Sequence, residues 1–379
     1  MTNTSHPEQH KQAADAQALW SSLAAMAGRS GTVSPDEGLV GDIQDFTSCT
    51  LRSKLPYSLP LYRRCQFHTK RQAQAPDAEV WCARVSRQSH GNTSQLPWLA
   101  AYIDLTKSGQ TQIWVYGSWE ADFSTVPDPY QAVQSSEHFS VYQRLFDSLF
   151  RRLKHHHIPR LANEPPTEWL RLKAEGKIVS EPFSTSKVLF GTIAECHWPF
   201  LDHYSLRGLK AATAREDRPY LKYIITSTQQ SLEALTVPEG LHLVPMPEQH
   251  LQTMVDRTRI PRTVETLRQL PSLGLFDQDG RPVAWGLIGK DASLSSLHTE
   301  PEYRGRGFAE LVAKGLTAEQ QRFFVEMKDD TDAVEDIVYS HADVSDKNIA
   351  SNRVMQKLAG KVMWRVAWIE LDLGTQLAT

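Results

Sequence analysis

The 379-residue sequence has no long apolar run, and nothing in it approaches the ~18 consecutive apolar residues of a membrane span. The opening stretch, MTNTSHPEQHKQAADAQ, lacks a basic flank followed by an apolar core, so no export signal is expected in it. Cysteine is scarce as well. Cys49, Cys65, Cys82 and Cys196 show no CxxC spacing and no histidine pair at metal-ligand intervals, so neither a disulfide framework nor a metal site is expected. Neither sign of charge is in excess: Lys+Arg 41 against Asp+Glu 44 leaves a net charge of −3, which gives no reason to expect nucleic acid or a membrane surface as a partner. These absences describe a soluble protein expected in the cytoplasm.

What is present is an ordinary globular composition, 40% hydrophobic and 22% charged, in a chain long enough for two domains. Residues 1–40 read as a polar, partly disordered segment, with QALWSSLAAMAG allowing a short helix that ends at Gly28. Three strand patterns follow, EVWCARV (79–85), WLAAYIDL (98–105) and TQIWVYGSW (111–119), and the turn-rich segments between them suggest an antiparallel meander. SVYQRLFDSLFRRLKHH repeats its apolar residues at helical spacing, and KVLFGTIAE and YLKYIIT read as strands. From Leu241 onward the order is strand (LHLVPM), a helical stretch broken near Pro261, a hairpin turning at Asp279-Gly280, and a third strand, ASLSSLHT. A glycine loop and its helix come next, then a strand (EDIVYSHADV), a short helix closed by Gly360, and a last strand. On that strand Val362, Trp364, Val366 and Trp368 alternate on one face, and the two tryptophans are expected in the core.

The most informative stretch is PEYRGRGFAELVAKGL, from Pro301. A helix begins with about four N–H groups that have no intrahelical acceptor and with the positive end of its dipole. Gly305, Gly307 and Ala309 strip side chains from that end, so bare amides can receive a phosphate or pyrophosphate. The P-loop pattern is absent, and the dinucleotide fingerprint fails because Glu310 stands where glycine is required. An antiparallel hairpin ahead of the loop also differs from the buried parallel strand that precedes both of those motifs.

The arrangement resembles the GNAT acyltransferase superfamily, whose pyrophosphate loop reads Q/R-x-x-G-x-G/A. Arg304-Gly305-Arg306-Gly307-Phe308-Ala309 matches each specified position, and NIASNRVMQKLAG resembles the family's second signature. The wording LHTEPEYRGRGFAELV is similar to the glycine N-acyltransferase-like branch. The resemblance spans about 130 residues from Leu241. It implies an α+β fold, a mixed and mostly antiparallel sheet flanked by helices. It also implies acetyl-CoA or another acyl-CoA as co-substrate. The pyrophosphate would rest on the amides of Arg304 to Ala309, and pantetheine would run beside the strand that ends in Leu297, His298 and Thr299. Asn348 and Ser351 would lie by the pantetheine arm, or Asn348 would simply cap the last helix.

The family's reaction is direct attack of an amine on the thioester, so the free cysteines need no nucleophilic role. Many members carry a glutamate or histidines at the positions of Ser293 and Ser295, and a tyrosine at that of Met355. This chain carries none of them. Proton transfer is then assigned to water, to residues of the first half, or to Tyr339 or His341, with Ser295 in the cleft. His298 is out of phase with the serines and should point to the other face. The plain alternatives are a structural His341, and Arg306 and Lys314 as ordinary helix cations. For RRLKHHH (151–157), a metal or anion site competes with cations placed at a helix C-terminus by the macrodipole.

The first half repeats the order strand, hairpin, strand and helix, from Glu79 to Leu153, without a glycine loop: ADFSTVPDPYQAVQSSEHFS offers no bare amides. The expected architecture is therefore tandem. Residues 41–235 form a degenerate GNAT-like domain lacking the CoA loop, unless they are an unrelated α+β domain, and residues 236–379 form the catalytic one. The function implied is an N-acyltransferase, foremost an N-acetyltransferase, acting on a small-molecule amine or amino-acid-like acceptor. The alternatives are a non-catalytic CoA-binding scaffold and a protein N-acetyltransferase.

Overall fold

The computed structural model describes residues 36–39, 46–71, 75–84, 96–178, 182–204, 220–227, 235–325 and 338–374. The helix expected to end at Gly28 lies outside them. Twelve strands appear in order: β1 (Asp36–Leu39), β2 (Glu79–Arg84), β3 (Trp98–Ile103), β4 (Ile113–Gly117), β5 (Lys187–Ala194), β6 (Tyr220–Ser227), β7 (His242–Pro245), β8 (Ser272–Phe276), β9 (Pro282–Ile288), β10 (Leu294–Thr299), β11 (Val338–Ser345) and β12 (Lys361–Asp372). Four helices position the site: α1 (Leu59–Arg71), α2 (Phe139–Arg152), α3 (Phe308–Val325) and α4 (Ile349–Lys357). Among the described residues no helix is long and apolar enough to cross a membrane.

Each half builds the same unit. β2, β3 and β4 form an antiparallel meander, α2 follows, and β5 then returns parallel to β4 through the pair Ile113↔Phe190. In the second half β8, β9 and β10 form the meander and α3 follows. β11 then returns parallel to β10 through the bridge Ser293↔His341. The apolar face of α2 buries Val141, Leu145, Phe146 and Leu149 under the first meander, as its helical spacing requires. α3 lays Val312, Ala313 and Leu316 on the second.

The halves interlock through their last strands. The eight-stranded sheet runs β1-β2-β3-β4-β5-β12-β6-β11, and the four-stranded sheet runs β10-β9-β8-β7. β6, from the first half, pairs along its length with β11, while β12 crosses back to pair with β6 and then with β5.

That crossing corrects the expectation for the last strand. Register shifts between Val362 and Trp364 and between Ala367 and Ile369 change which side chains face inward. Trp364 and Val366 are buried in one cluster, whereas Ala367, Ile369 and Leu371 are buried in the core of the first half. Val362 is 48% exposed and Trp368 is 37% exposed, so Trp368 is not a core residue. Its Nε1 donates to Thr111 Oγ1 at 3.0 Å.

Candidate active site

β10 and β11 touch at Ser293↔His341 and then separate, because β11 turns to pair with β6 and leaves β10 at the edge of its own sheet. The result is a V-shaped opening whose one wall is the unpaired main-chain edge of β10. Within β10 the ladder to β9 skips from Ser295↔Leu287 to His298↔Trp285, so Ser296 and Leu297 together oppose Gly286. This bulge puts Ser296 at φ 51°, and Leu297 closes on β9. A Cβ at Gly286 would lie 2.8 Å from Leu316 Cδ1 and 3.1 Å from Leu297 Cδ1. Glycine at 286 is thus what allows bulge and helix to pack.

β10 leads through a short turn, Pro301–Tyr303, into the glycine loop. Gly305 and Gly307 have φ of 78° and 83°, the left-handed region that a side chain strains, and a Cβ on either would meet no protein atom within 4 Å. The main-chain N–H groups of Gly305, Arg306, Gly307, Phe308, Ala309 and Glu310 have no acceptor among the described residues; the first amide of α3 to find one is that of Leu311, on Gly307 O at 3.1 Å. Arg304 Nε is tied to Thr299 O at 3.1 Å, and Arg306 Nη2 to Glu302 O at 3.2 Å, which fixes the loop's shape while the amides stay open. Lys314 is engaged with Glu310 at 2.8 Å. Along the groove, the buried Ser296 Oγ and Thr299 Oγ1 also lack partners among the described residues. Open amides at a helix start, continuing into an unpaired strand edge with orphan hydroxyls, fit an extended carrier with a diphosphate at one end.

The apex of the V is closed by a buried polar network. His341 is fully buried; its Nε2 donates to Asp291 O at 2.7 Å and its Nδ1 accepts from Lys222 Nζ at 3.1 Å. Lys222 also reaches Asp343 Oδ1 at 2.6 Å and Thr192 Oγ1 at 2.7 Å, and Thr192 donates to Asp343 Oδ2 at 2.9 Å. Asp291 accepts from Trp114 Nε1 at 3.1 Å and from Ser293 Oγ at 2.7 Å. Burial alone would raise the Asp291 carboxyl, but His341, Lys222 and the bonds from Ser293 and Trp114 hold it at about 2. Burial first, then Lys222, lowers His341 below its ordinary value.

Both ring nitrogens of His341 are occupied inside the protein, which favours the structural alternative over the assignment as proton acceptor. Tyr339 shares its face of β11 with His341 and Asp343, is partly buried against the cluster that holds Tyr102 and Ile224, and its carbonyl accepts from Gln320 Nε2 at 2.9 Å. Ser295 stays half-buried beside the bulge and accepts from Arg262 Nη2 at 2.8 Å. His298 stacks on Trp285 at 4.6 Å, with Nε2 3.5 Å from Glu300. Asn348 Oδ1 caps α4 by accepting from Ser351 N at 3.1 Å. Asn352, which the sequence reading passed over, pins the preceding loop by donating to Ser345 O and Asn348 O, each at 2.9 Å, and accepts from the Tyr223 hydroxyl at 2.9 Å. Arg262, Lys290, Asp291 and Trp114 were also missed, because lone polar residues in turns and strands carry no spacing signal.

In the first half the residues after β4 are engaged in side-chain contacts. Glu120 Oε1 accepts from Gly117 N at 3.1 Å and lies 2.8 Å from the buried His197 Nε2. Trp119 stacks on Tyr142 at 4.2 Å. A carboxylate and an indole thus follow β4 in the chain, where the glycine loop follows β10 in the second half.

Meander, bulged edge strand, amide loop and splayed parallel return define a GNAT acyltransferase, here in tandem. Comparison with known proteins agrees: the family model for the acyl-CoA N-acyltransferase verG N-terminal domain matches residues 41–223, and that for FR47-like protein matches residues 272–369. The chain belongs to the GNAT superfamily and is an acyl-CoA-dependent N-acyltransferase. A Drosophila protein of known structure is 13% identical, with 88% of this chain and 96% of that one covered and a TM-score of 0.50, and shares the fold. A tandem GNAT protein from the clavulanic acid biosynthesis pathway is 11% identical (90% and 98% covered, TM-score 0.42). A GCN5-related N-acetyltransferase from Sphaerobacter thermophilus is 16% identical (83% and 92% covered, TM-score 0.38). No curated protein matches the chain.

Proposed function

We propose that the protein transfers an acetyl group from acetyl-CoA to the amine of a small, amino-acid-like acceptor. The observation that carries this reading is the run of unpaired amides from Gly305 to Glu310, open to the splay between β10 and β11. Acyl-CoA, when bound, supplies the activated thioester. The amides of residues 305–310 hold the diphosphate, each such contact worth roughly 1.5–3 kcal/mol. The edge of β10 from Ser295 to Thr299 orients the arm, with Ser296 and Leu297 freed from the β9 ladder by the bulge. The network around His341 keeps the apex rigid rather than moving a proton, so the ammonium proton of the acceptor leaves to water or to a group of the first half.

The test is a thiol-release assay with acetyl-CoA and longer acyl-CoAs over a panel of amines, amino acids and peptides. Release with small amines is the expected result, and silence with every pair would overturn the reading. A non-catalytic CoA-binding role is the second reading, favoured by the engagement of both His341 nitrogens and by serine at 293 and 295. Tight acetyl-CoA binding without turnover would select it, and labelling of peptides alone would select a protein acceptor.

A further inference from the structure

Beyond the apex, on the side of the first half, lies a cluster of cations that the acyl-carrier groove does not use. Arg64, on α1, is 2% exposed, yet its Nε and Nη1 have no hydrogen-bond partner among the described residues. Its guanidinium sits 3.7 Å from the centre of the Tyr102 ring and 5.0 Å from that of Trp114. Because Trp114 is bonded to Asp291, this aromatic seat is fastened to the turn between β9 and β10. That turn carries Lys290, half-buried and without a hydrogen bond or ion pair among the described residues. Arg262 enters from the other side through Ser295, with its own Nε buried and unpartnered. The nearby carboxylates are already engaged: Asp291 in the apex network, and Asp104 with Thr106 N at 3.2 Å and Thr106 Oγ1 at 2.6 Å. A buried guanidinium with open donors is costly unless an acceptor arrives, and converging cations beside a reaction centre are suited to an anionic group of the substrate.

We propose that Arg64 and Lys290 bind the carboxylate of the acceptor, so that the substrate is an amino acid or another small amine bearing an acid group. The first half, which has no amide cradle, then contributes to the reaction by supplying Arg64. This rests on the reading of the groove as the acyl-donor site: along the chain Ser293 and Ser295 stand between Lys290 and the bulge at Ser296 and Leu297, so an acceptor anchored by its acid directs its amine at the apex. The charge state agrees. Lys290 is pushed down to about 7 by burial, then by Arg64, with Lys107 and Arg262 adding and Asp104 opposing. His68, 3.2 Å from the Tyr102 hydroxyl, is lowered by burial and by Arg64, again with Asp104 opposing. A docked carboxylate reverses that field, and Lys290 takes up a proton.

The experiment is calorimetric titration of the full-length protein at pH 7.5, in two buffers of different ionisation enthalpy, with N-acetylglycine and N-acetylphenylalanine and with their amides as controls, in the absence and presence of CoA. The acids are expected to bind about tenfold or more tightly than the amides, with proton uptake. Arg64→Gln and Lys290→Gln should each abolish the preference while leaving acetyl-CoA affinity intact, and Arg64→Lys should restore part of it. Equal binding of acid and amide, no binding of either acid, or a preference that survives both Gln variants overturns the proposal. Should Arg64→Gln fail to fold, Lys290→Gln, on the turn, carries the test. Failure of acetyl-CoA to bind the wild type would overturn the donor-site reading instead, and the CoA-free comparison still decides the cation site.

Discussion

Lys222 Nζ and His341 Nδ1 lie 3.1 Å apart in the protein interior, and since His341 Nε2 donates to Asp291 O, the ring is neutral with its proton on Nε2. A base with both nitrogens committed serves structure. Its folded pKa is depressed below the ordinary value of 6.5, so the stability it contributes is present above that value and is lost as pH falls through the folded pKa. His341→Ala should therefore cost about 1–3 kcal/mol in denaturant unfolding, as loss of a buried hydrogen-bond partner does, and should flatten the fall in stability below pH 6.5. The apparent pKa of kcat/KM should stay where it is. A shift of that pKa in a stably folded variant would restore His341 as the proton acceptor.

Gly307 offers a test in which steric and folding effects separate. A Cβ there meets no protein atom, so Gly307→Val is expected to pay only the left-handed backbone cost of about 1–2 kcal/mol in stability. It projects, however, into the open space in front of the amides proposed to hold the diphosphate. Acetyl-CoA affinity should fall about tenfold or more, measured by calorimetry. Gly280, at φ 75° in the β8–β9 turn and equally open, provides the control: Gly280→Val carries the same strain and should leave acetyl-CoA affinity unchanged.

Glu79 anchors the end of α2 to β2 through Arg152 at 2.9 and 3.0 Å and His157 at 3.3 Å. Burial alone would raise its carboxyl, but the bonds from His157 and Arg152 win and hold it at about 2, against an ordinary 4.5. The lowered value means stability that is complete above pH 4.5 and lost as pH falls towards 2, about 3 kcal/mol in all. Glu79→Gln should remove it, lowering neutral-pH stability and shrinking the acid-induced loss. An unchanged acid transition would show that the pair contributes nothing. The pairing also gives part of the histidine run a structural use, since His157 faces Glu79 rather than solvent.

Most strands, both meanders and the amide loop were legible in the sequence, because alternation, helical spacing and paired glycines are local signals. α1 was not legible: Arg63 and Arg64 lie among its buried residues and interrupt the apolar stripe that would have marked it. The phase change in β12 was hidden for another reason, since a strand that leaves one partner for another takes its inward face from the neighbours, here β6 and then β5. The apex network and the cation cluster join residues from Arg64 to Asp343, and no spacing along the chain encodes such meetings.

The interlocked strands bear on where the chain divides. A boundary at 235/236 separates two folding units by sequence, yet β6 pairs with β11 from Ser227↔Val338 to Tyr220↔Ser345, and β12 completes β5 from Ala194↔Val366 to Lys187↔Asp372. Each half thus lends its last strand to the other. Ala367, Ile369, Leu371 and Leu373 bury against the cluster that holds Val188, Phe190 and Ile193, so the core of the first half is incomplete without residues from the end of the chain. A polypeptide of residues 1–235 should fail to unfold cooperatively on its own, as should 236–379, while the two expressed together should assemble into one species that binds acetyl-CoA. Ending the chain at Gly360 removes β12 and should raise amide exchange in β5 and β6 together. A sharp thermal transition and native-like exchange protection in isolated 1–235 would mean that the exchanged strand is an accessory rather than part of the core.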